Sequence, residues 1–316
     1  MKKTLVALSV LMAATSVQAI ELYNNAGVTV DLKGDVEVRY KKSTAKDAEL
    51  KQEIDDADFG FDTRYAINDD LQIGAYLEFS GDNNDRATDK TSVGNVYMGF
   101  YSKELGSIKF GKLDTQMDDA GVGSDFLFGV RSFFDEADFG GEEAIRYDLD
   151  KGNFYGGLGL IQDKHNAQSI GENGNYFDLK LGYRVADFDF TLFYAQAELR
   201  KAMDKDVSLL GLEGRYTGVE NLKLELGYYD NTADDNTAKT SNEEDTIALA
   251  ADYTMDKTTF AAGYSMTNVK GGTDFNNWFL NAGYAIAPNT TAYVEIGGTD
   301  KDNTELGYGF GLKASF

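Results

Sequence analysis

Residues 113–142, LDTQMDDAGVGSDFLFGVRSFFDEADFGGE, gather the carboxylates of Asp114, Asp118, Asp119, Asp125, Asp135, Glu136, Asp138 and Glu142 around one cation, Arg131. Carboxylates set around a narrow aqueous passage concentrate cations and repel anions, which is electrostatic work and not catalysis. The same stretch carries Phe126, Leu127, Phe128, Phe133, Phe134 and Phe139, apolar side chains that need something to pack against. A structureless connection of this length is uncommon inside a compact domain unless the connection is itself functional. Both flanks alternate apolar and polar residues in the manner of β-strands. The segment is therefore read as a loop that folds into the bore of a closed β-structure and narrows it.

Conventional catalytic chemistry finds little support. The single histidine, His165, sits in DKHN within a polar connection, with Asp163 and Ser169 nearby. Neither neighbour belongs to a nucleophile motif, and no phosphate-cradling glycine loop or metal-ligand spacing occurs. Neither an enzyme nor a cofactor is expected, and no metal site. Lys and Arg total 30 against 53 Asp and Glu, a formal charge of −23. That balance excludes a nucleic-acid partner, because phosphate binding needs a basic face.

The elements that would position these residues follow from the hydropathy pattern. MKK, the apolar run TLVALSVLMAATS and the small-residue site Val17-Gln18-Ala19 form a secretory signal peptide over residues 1–19. Its removal takes Lys2 and Lys3 with it and makes the remaining chain, 20–316, still more acidic. No cysteine is present, so stability must come from burial and backbone hydrogen bonds. Beyond the leader no apolar run approaches the roughly 18 residues of a membrane helix. The segment VTVDLKGDVEVRY, ending at Tyr40, alternates strictly: Val28, Val30, Leu32, Val36 and Val38 on one face, and Asp31, Lys33, Asp35, Glu37 and Arg39 on the other. Its length exceeds the ~5–6 residues of a soluble strand and matches the ~9–11 needed to cross a bilayer at a tilt.

The pattern recurs at 54–66, 71–81, 91–102, 106–112, 143–149, 153–162, 175–184, 187–197, 206–216, 221–230, 244–253, 257–267, 275–284, 290–298 and 306–316, which makes sixteen strands in all. Connections alternate between tight turns and longer polar loops at 41–53, 82–90, 113–142, 163–174, 198–205, 231–243, 268–274 and 299–305. Sorting of short turns to one rim and long loops to the other is the construction of an outer-membrane barrel. The expected fold is all-β: a 16-stranded antiparallel transmembrane β-barrel with an inward-folded third loop.

The chain ends ELGYGFGLKASF, closing on Phe316. That ending, with DLKGDVEVRY in the first strand, INDDLQIGAYLEF around the first turn, LGSIKFGK before the long loop and FGG near its end, resembles the general-diffusion porins of Gram-negative outer membranes. The overall character is similar to the acidic porins of marine gammaproteobacteria. The resemblance implies a homotrimer in the outer membrane, in contact with lipid and lipopolysaccharide. It implies passive passage of small hydrophilic solutes, a third loop facing a basic wall, and Asp125 as the loop's constriction aspartate, with Asp114, Asp118, Asp119, Arg131, Asp135 and Glu136 beside it. The wall departs from the enteric pattern, with Asp35, Asp58 and Gly94 where basic residues are usual. Alternation leaves Lys33, Arg39, Arg64, Lys109 and Arg146 facing inward, opposed by Asp35, Glu37, Asp58 and Asp62. This acidic excess predicts a cation-selective channel. A surface-recognition barrel, an adhesin or receptor whose channel is incidental, is the competing reading.

Overall fold

The structure, a computed structural model, describes residues 19–81, 92–132 and 139–316. Its strands are β1 Ile20–Asn25, β2 Val28–Lys42, β3 Lys51–Ala66, β4 Leu71–Ser80, β5 Ser92–Ser102, β6 Gly106–Asp114, β7 Gly140–Asp150, β8 Phe154–Gln162, β9 Asn175–Val185, β10 Phe188–Leu199, β11 Lys205–Val219, β12 Leu222–Asp235, β13 Thr240–Met255, β14 Thr258–Val269, β15 Phe275–Ala287, β16 Thr290–Thr299 and β17 Gly307–Ser315. Every neighbour in sequence from β2 to β17 pairs antiparallel. β17 then pairs with β2, from Tyr308↔Lys42 to Ser315↔Asp35, and closes a ring of sixteen strands.

The short strand β1 is not among the strands expected from the sequence. It occupies the rest of the same edge of β2, from Ile20↔Leu32 to Asn25↔Val28. Phe316 and Gly34 exchange backbone hydrogen bonds, both at 2.8 Å, where β17 stops. Both ends of the described chain thus share one edge of β2, so closure leaves fewer orphan backbone groups, as an apolar surround demands.

The two faces of the sheet differ sharply. One carries large apolar side chains left open, such as Leu226 at 51% and Val294 at 56% exposure. Apolar surface this continuous far exceeds the few hundred Å² a soluble monomer tolerates and suits contact with lipid. The other face carries the charged, hydroxyl and glycine positions.

Tight turns match the expected rim. Ala186, Asn221, Asp256 and Asn289 adopt positive φ of 51°, 62°, 52° and 55° in the turns that follow β9, β11, β13 and β15. Positive φ at such a position gives a two-residue hairpin the twist its strands require. One long loop departs from expectation: residues 231–243 are mostly strand, since β12 and β13 stay paired as far as Asp235↔Thr240. Run after run of Asp, Asn and Glu there hides the alternation, because neither face of a hairpin that stands in water needs to be apolar.

Candidate functional site

Segment 115–132 leaves β6, makes one 3₁₀ turn at Gln116–Asp119, and then runs along the polar face of β9 to β16. Its backbone is held by acidic side chains of the wall. The Met117 N–H donates to Asp178 at 2.8 Å, Gly121 to Glu213 at 2.5 Å and Gly123 to Glu225 at 3.3 Å. The Ser124 hydroxyl donates to Asp252 at 2.5 Å, and the Ser124 carbonyl accepts from Asn281 at 2.8 Å. The N–H groups of Phe126, Leu127 and Phe128 all converge on Glu295, at 2.6, 3.1 and 2.8 Å. A loop of this kind has few partners for its own amides, and carboxylates supply them through strong, charge-assisted bonds. Apolar packing completes the attachment: Met117 and Val122 join Tyr176, Phe193 and Tyr229 in one buried cluster. Phe126 stacks on Tyr293 with ring centroids 4.1 Å apart.

Among the acidic residues expected on the loop, Asp114 accepts from Asn95 at 3.3 Å at its root. Asp119 is bridged by Arg146 at 2.6 Å and by Lys180. Asp118 and Asp125 are exposed to water while protein crowds them on most sides. Partial desolvation raises both carboxyls above the usual range, reinforced by Asp114 and Asp119 for the first and by Glu295 for the second. Arg131 pairs with Glu244 at 3.2 Å, and its N–H donates to Ser265 at 3.0 Å. Asp135 and Glu136 lie outside the described residues.

The wall residues form ion pairs instead of free rows. Lys33 lies 2.7 Å from Asp62, which Arg64 also grips at 2.5 and 2.9 Å. Arg39 pairs with Glu53 at 3.1 Å and with Asp55. Lys109 and Arg146 meet on Asp148 at 3.3 and 3.0 Å. Asp35 and Glu37 share Lys313, at 3.2 and 3.4 Å. Asp58 stands on the same face of β3 as Asp62, opposite Asp35.

Sequence reading missed a second set of charges on this face: Lys180, Arg184, Arg215, Lys223 and Lys313, with Asp178, Glu213, Glu225, Asp252 and Glu295. The same period-2 rule would have found them. Glu295 lies between Val294 and Ile296, and Lys223 and Glu225 alternate with Leu222, Leu224 and Leu226. Asp163, weighed beside His165 as a catalytic candidate, is the hub of its own loop. Its carboxylate accepts the N–H groups of Ala167, Gln168 and Gly171 at 2.6, 2.8 and 2.8 Å. His165 Nδ1 sits 2.5 Å from Glu143 at the surface.

A sequence profile described as Gram-negative porin matches residues 7–304. The chain belongs to the Gram-negative porin family. It is 32% identical over 337 residues to the porin-like protein H of Photobacterium profundum, covering 100% of both chains. To the outer membrane porin PhoE of Escherichia coli it is 26% identical over 346 residues, covering 96% of this chain and 95% of the relative. The in-vitro folded OmpT of Vibrio cholerae, in its trimer form, superposes with a TM-score of 0.75 at 20% identity, over 92% of this chain and 100% of that one. This porin is an outer-membrane β-barrel channel.

Proposed function

We propose that the polar face lines a water-filled channel for passive diffusion of small hydrophilic solutes, and that the long connection expected at 113–142 is its constriction, through residues 115–132 inside the bore. The observation that carries this reading is the attachment of residues 117–131 to seven strands, β9 and β11 to β16, all through polar-face side chains. A segment pinned so closely to one side, and tied at its start to β7 through Arg146 and Asp148, takes up part of the bore and leaves the wall from β3 to β6 for solute. Cations are preferred, because Asp118 and Asp125 bring negative charge into the narrowest part while the wall cations are already paired with carboxylates. Three such barrels associate in the outer membrane, as in the trimer form of the Vibrio cholerae protein.

Planar-bilayer recording of the purified protein under a KCl gradient tests the whole reading. Openings in groups of three with a cation-directed reversal potential support it. A protein that inserts and never conducts refutes the channel, and an anion-directed potential refutes the charge argument. The preference should weaken between ~0.1 M and ~1 M salt, as the Debye length shrinks from about 10 Å to about 3 Å.

A further inference from the structure

Two places on the polar face repeat one arrangement, a glycine beneath a tyrosine ring on which an arginine is stacked. At the first, Gly182 of β9 and Tyr155 of β8 are cross-strand partners. The ring lies so flat on the backbone that a Cβ at position 182 would come within 1.9 Å of its Cζ. The Arg184 guanidinium carbon sits 4.0 Å from the centroid of that ring. At the second, a Cβ on Gly99 of β5 would come within 2.8 Å of the Tyr101 hydroxyl, and Arg64 stacks on Tyr101 at 3.3 Å. Carboxylates fix both arginines: Asp150 at 2.8 Å and Asp189 at 3.5 Å for Arg184, Asp62 at 2.5 Å for Arg64. The Tyr155 hydroxyl also donates to Asp189 at 2.6 Å, so ring and guanidinium share one anchor. Tyr101, Tyr155 and Arg184 line a single cleft on the wall, beside Asp148 and Lys180, which Gln116 and Asp119 of the segment hold.

We infer that Gly182 and Gly99 are specificity-determining positions of the channel. Each lets a tyrosine lie against the backbone, which keeps the bore wide and sets how far a stationary guanidinium projects toward passing solute. This rests on the diffusion-channel reading and adds to it the residues that set bore width and the placement of positive charge. Closeness of packing gives the argument its force. Protein interiors have no slack for a methyl group at 1.9 Å, and a rigid ring cannot bend away as a flexible chain end would. With the sheet behind it, the ring can move only toward the lumen, and it pushes the guanidinium stacked on its other face ahead of it, stretching the arginine's carboxylate contacts.

The test is bilayer recording of the full-length protein carrying Gly182→Ala. A loss of unit conductance and a reversal potential shifted toward anions are expected, and Gly99→Ala should act in the same direction. Gly214→Ala is the control, because its Cβ would meet Phe190 at an ordinary 3.5 Å and should change neither readout. The double variant Gly182→Ala/Tyr155→Ala removes the displaced ring and should regain or exceed the original conductance. If Gly182→Ala does not fold, recovery of folding and conductance in the double variant supports the inference in its place. Gly182→Ala with unaltered conductance and selectivity overturns the inference, as does a double variant no better than the single one. A parent protein without conductance fails the channel reading itself, before any variant is compared.

Discussion

The carboxylate of Glu295 stands 2.6 Å from the backbone nitrogen of Phe126 and holds the two following amides as well. Asn281 adds a side-chain donor at 3.0 Å, so one buried acid satisfies four N–H groups. Glu295→Gln keeps the shape but replaces one acceptor oxygen by an NH₂ that faces other donors. At least one amide then loses its partner, which costs about 1–3 kcal/mol. Local loosening of the tip from Phe126 to Phe128 is expected, with the barrel intact. Single-channel records should show larger and noisier openings, with unchanged β-sheet content by circular dichroism. Quiet openings of parental size would mean that aromatic packing alone holds the tip.

Much of this molecule was legible because a lipid-facing sheet obeys a strict rule. Outward residues such as Leu226, Leu249 and Val294 must be apolar, so period-2 alternation placed sixteen strands within a few residues of their observed ends. The rule fails where lipid stops, as in the water-facing ends of β12 and β13. It also fails for β1, which reads IELYNN and is too short to show a period. Site residues were harder for another reason. Alternation tells which face Glu295 or Arg215 occupies, but gives no sign of what covers that face. That Glu213, Glu225 and Glu295 serve the loop's amides and Asp62 serves Lys33 depends on contacts between residues 29 to 169 positions apart. Long-range pairing of this kind leaves no local pattern.

Asp119 sits between Arg146 and Lys180 and offsets both. Asp119→Asn removes the charge, takes the carboxylate from Lys180 and leaves Arg146 with Asp148 alone, so the cation preference should fall. The asparagine oxygen can still accept from one of the two cations, so the 3₁₀ turn that bears it keeps its place. Reversal potential under a KCl gradient reads the change directly, at low salt where screening is weakest. A potential identical to that of the parent would place Asp119 outside the ion path.

Acidification should reduce the same preference earlier than free carboxylates would. Desolvation raises the Asp118 and Asp125 carboxyls above their ordinary value of about 3.9, so both take up protons at a higher pH than an open aspartate does. The sign is fixed: a raised carboxyl loses negative charge first as pH falls. Cation selectivity should therefore decline on going from about pH 7 toward pH 4, and Asp125→Asn should flatten the early part of that decline. A selectivity that stays constant until every exposed carboxylate titrates would exclude these two as its source.

Asp163 provides a contrast, an acid whose job is purely to build a loop. Burial works against its charge, but the N–H groups of Ala167, Gly171 and Gln168 outweigh it and hold the carboxyl below the usual range. Its contribution to loop order is present above the ordinary carboxylate value and is lost as pH falls through the depressed one. Asp163→Asn halves the acceptors available to those three amides and should open residues 163–174 to proteolysis at neutral pH. Unit conductance should not change, because this loop is held by its own backbone and by Lys201, which donates to the carbonyls of Asn166 and Ala167. Protease nicking with parental conductance separates a loop-building role from a channel role. A change in conductance would show that residues 163–174 reach the ion path.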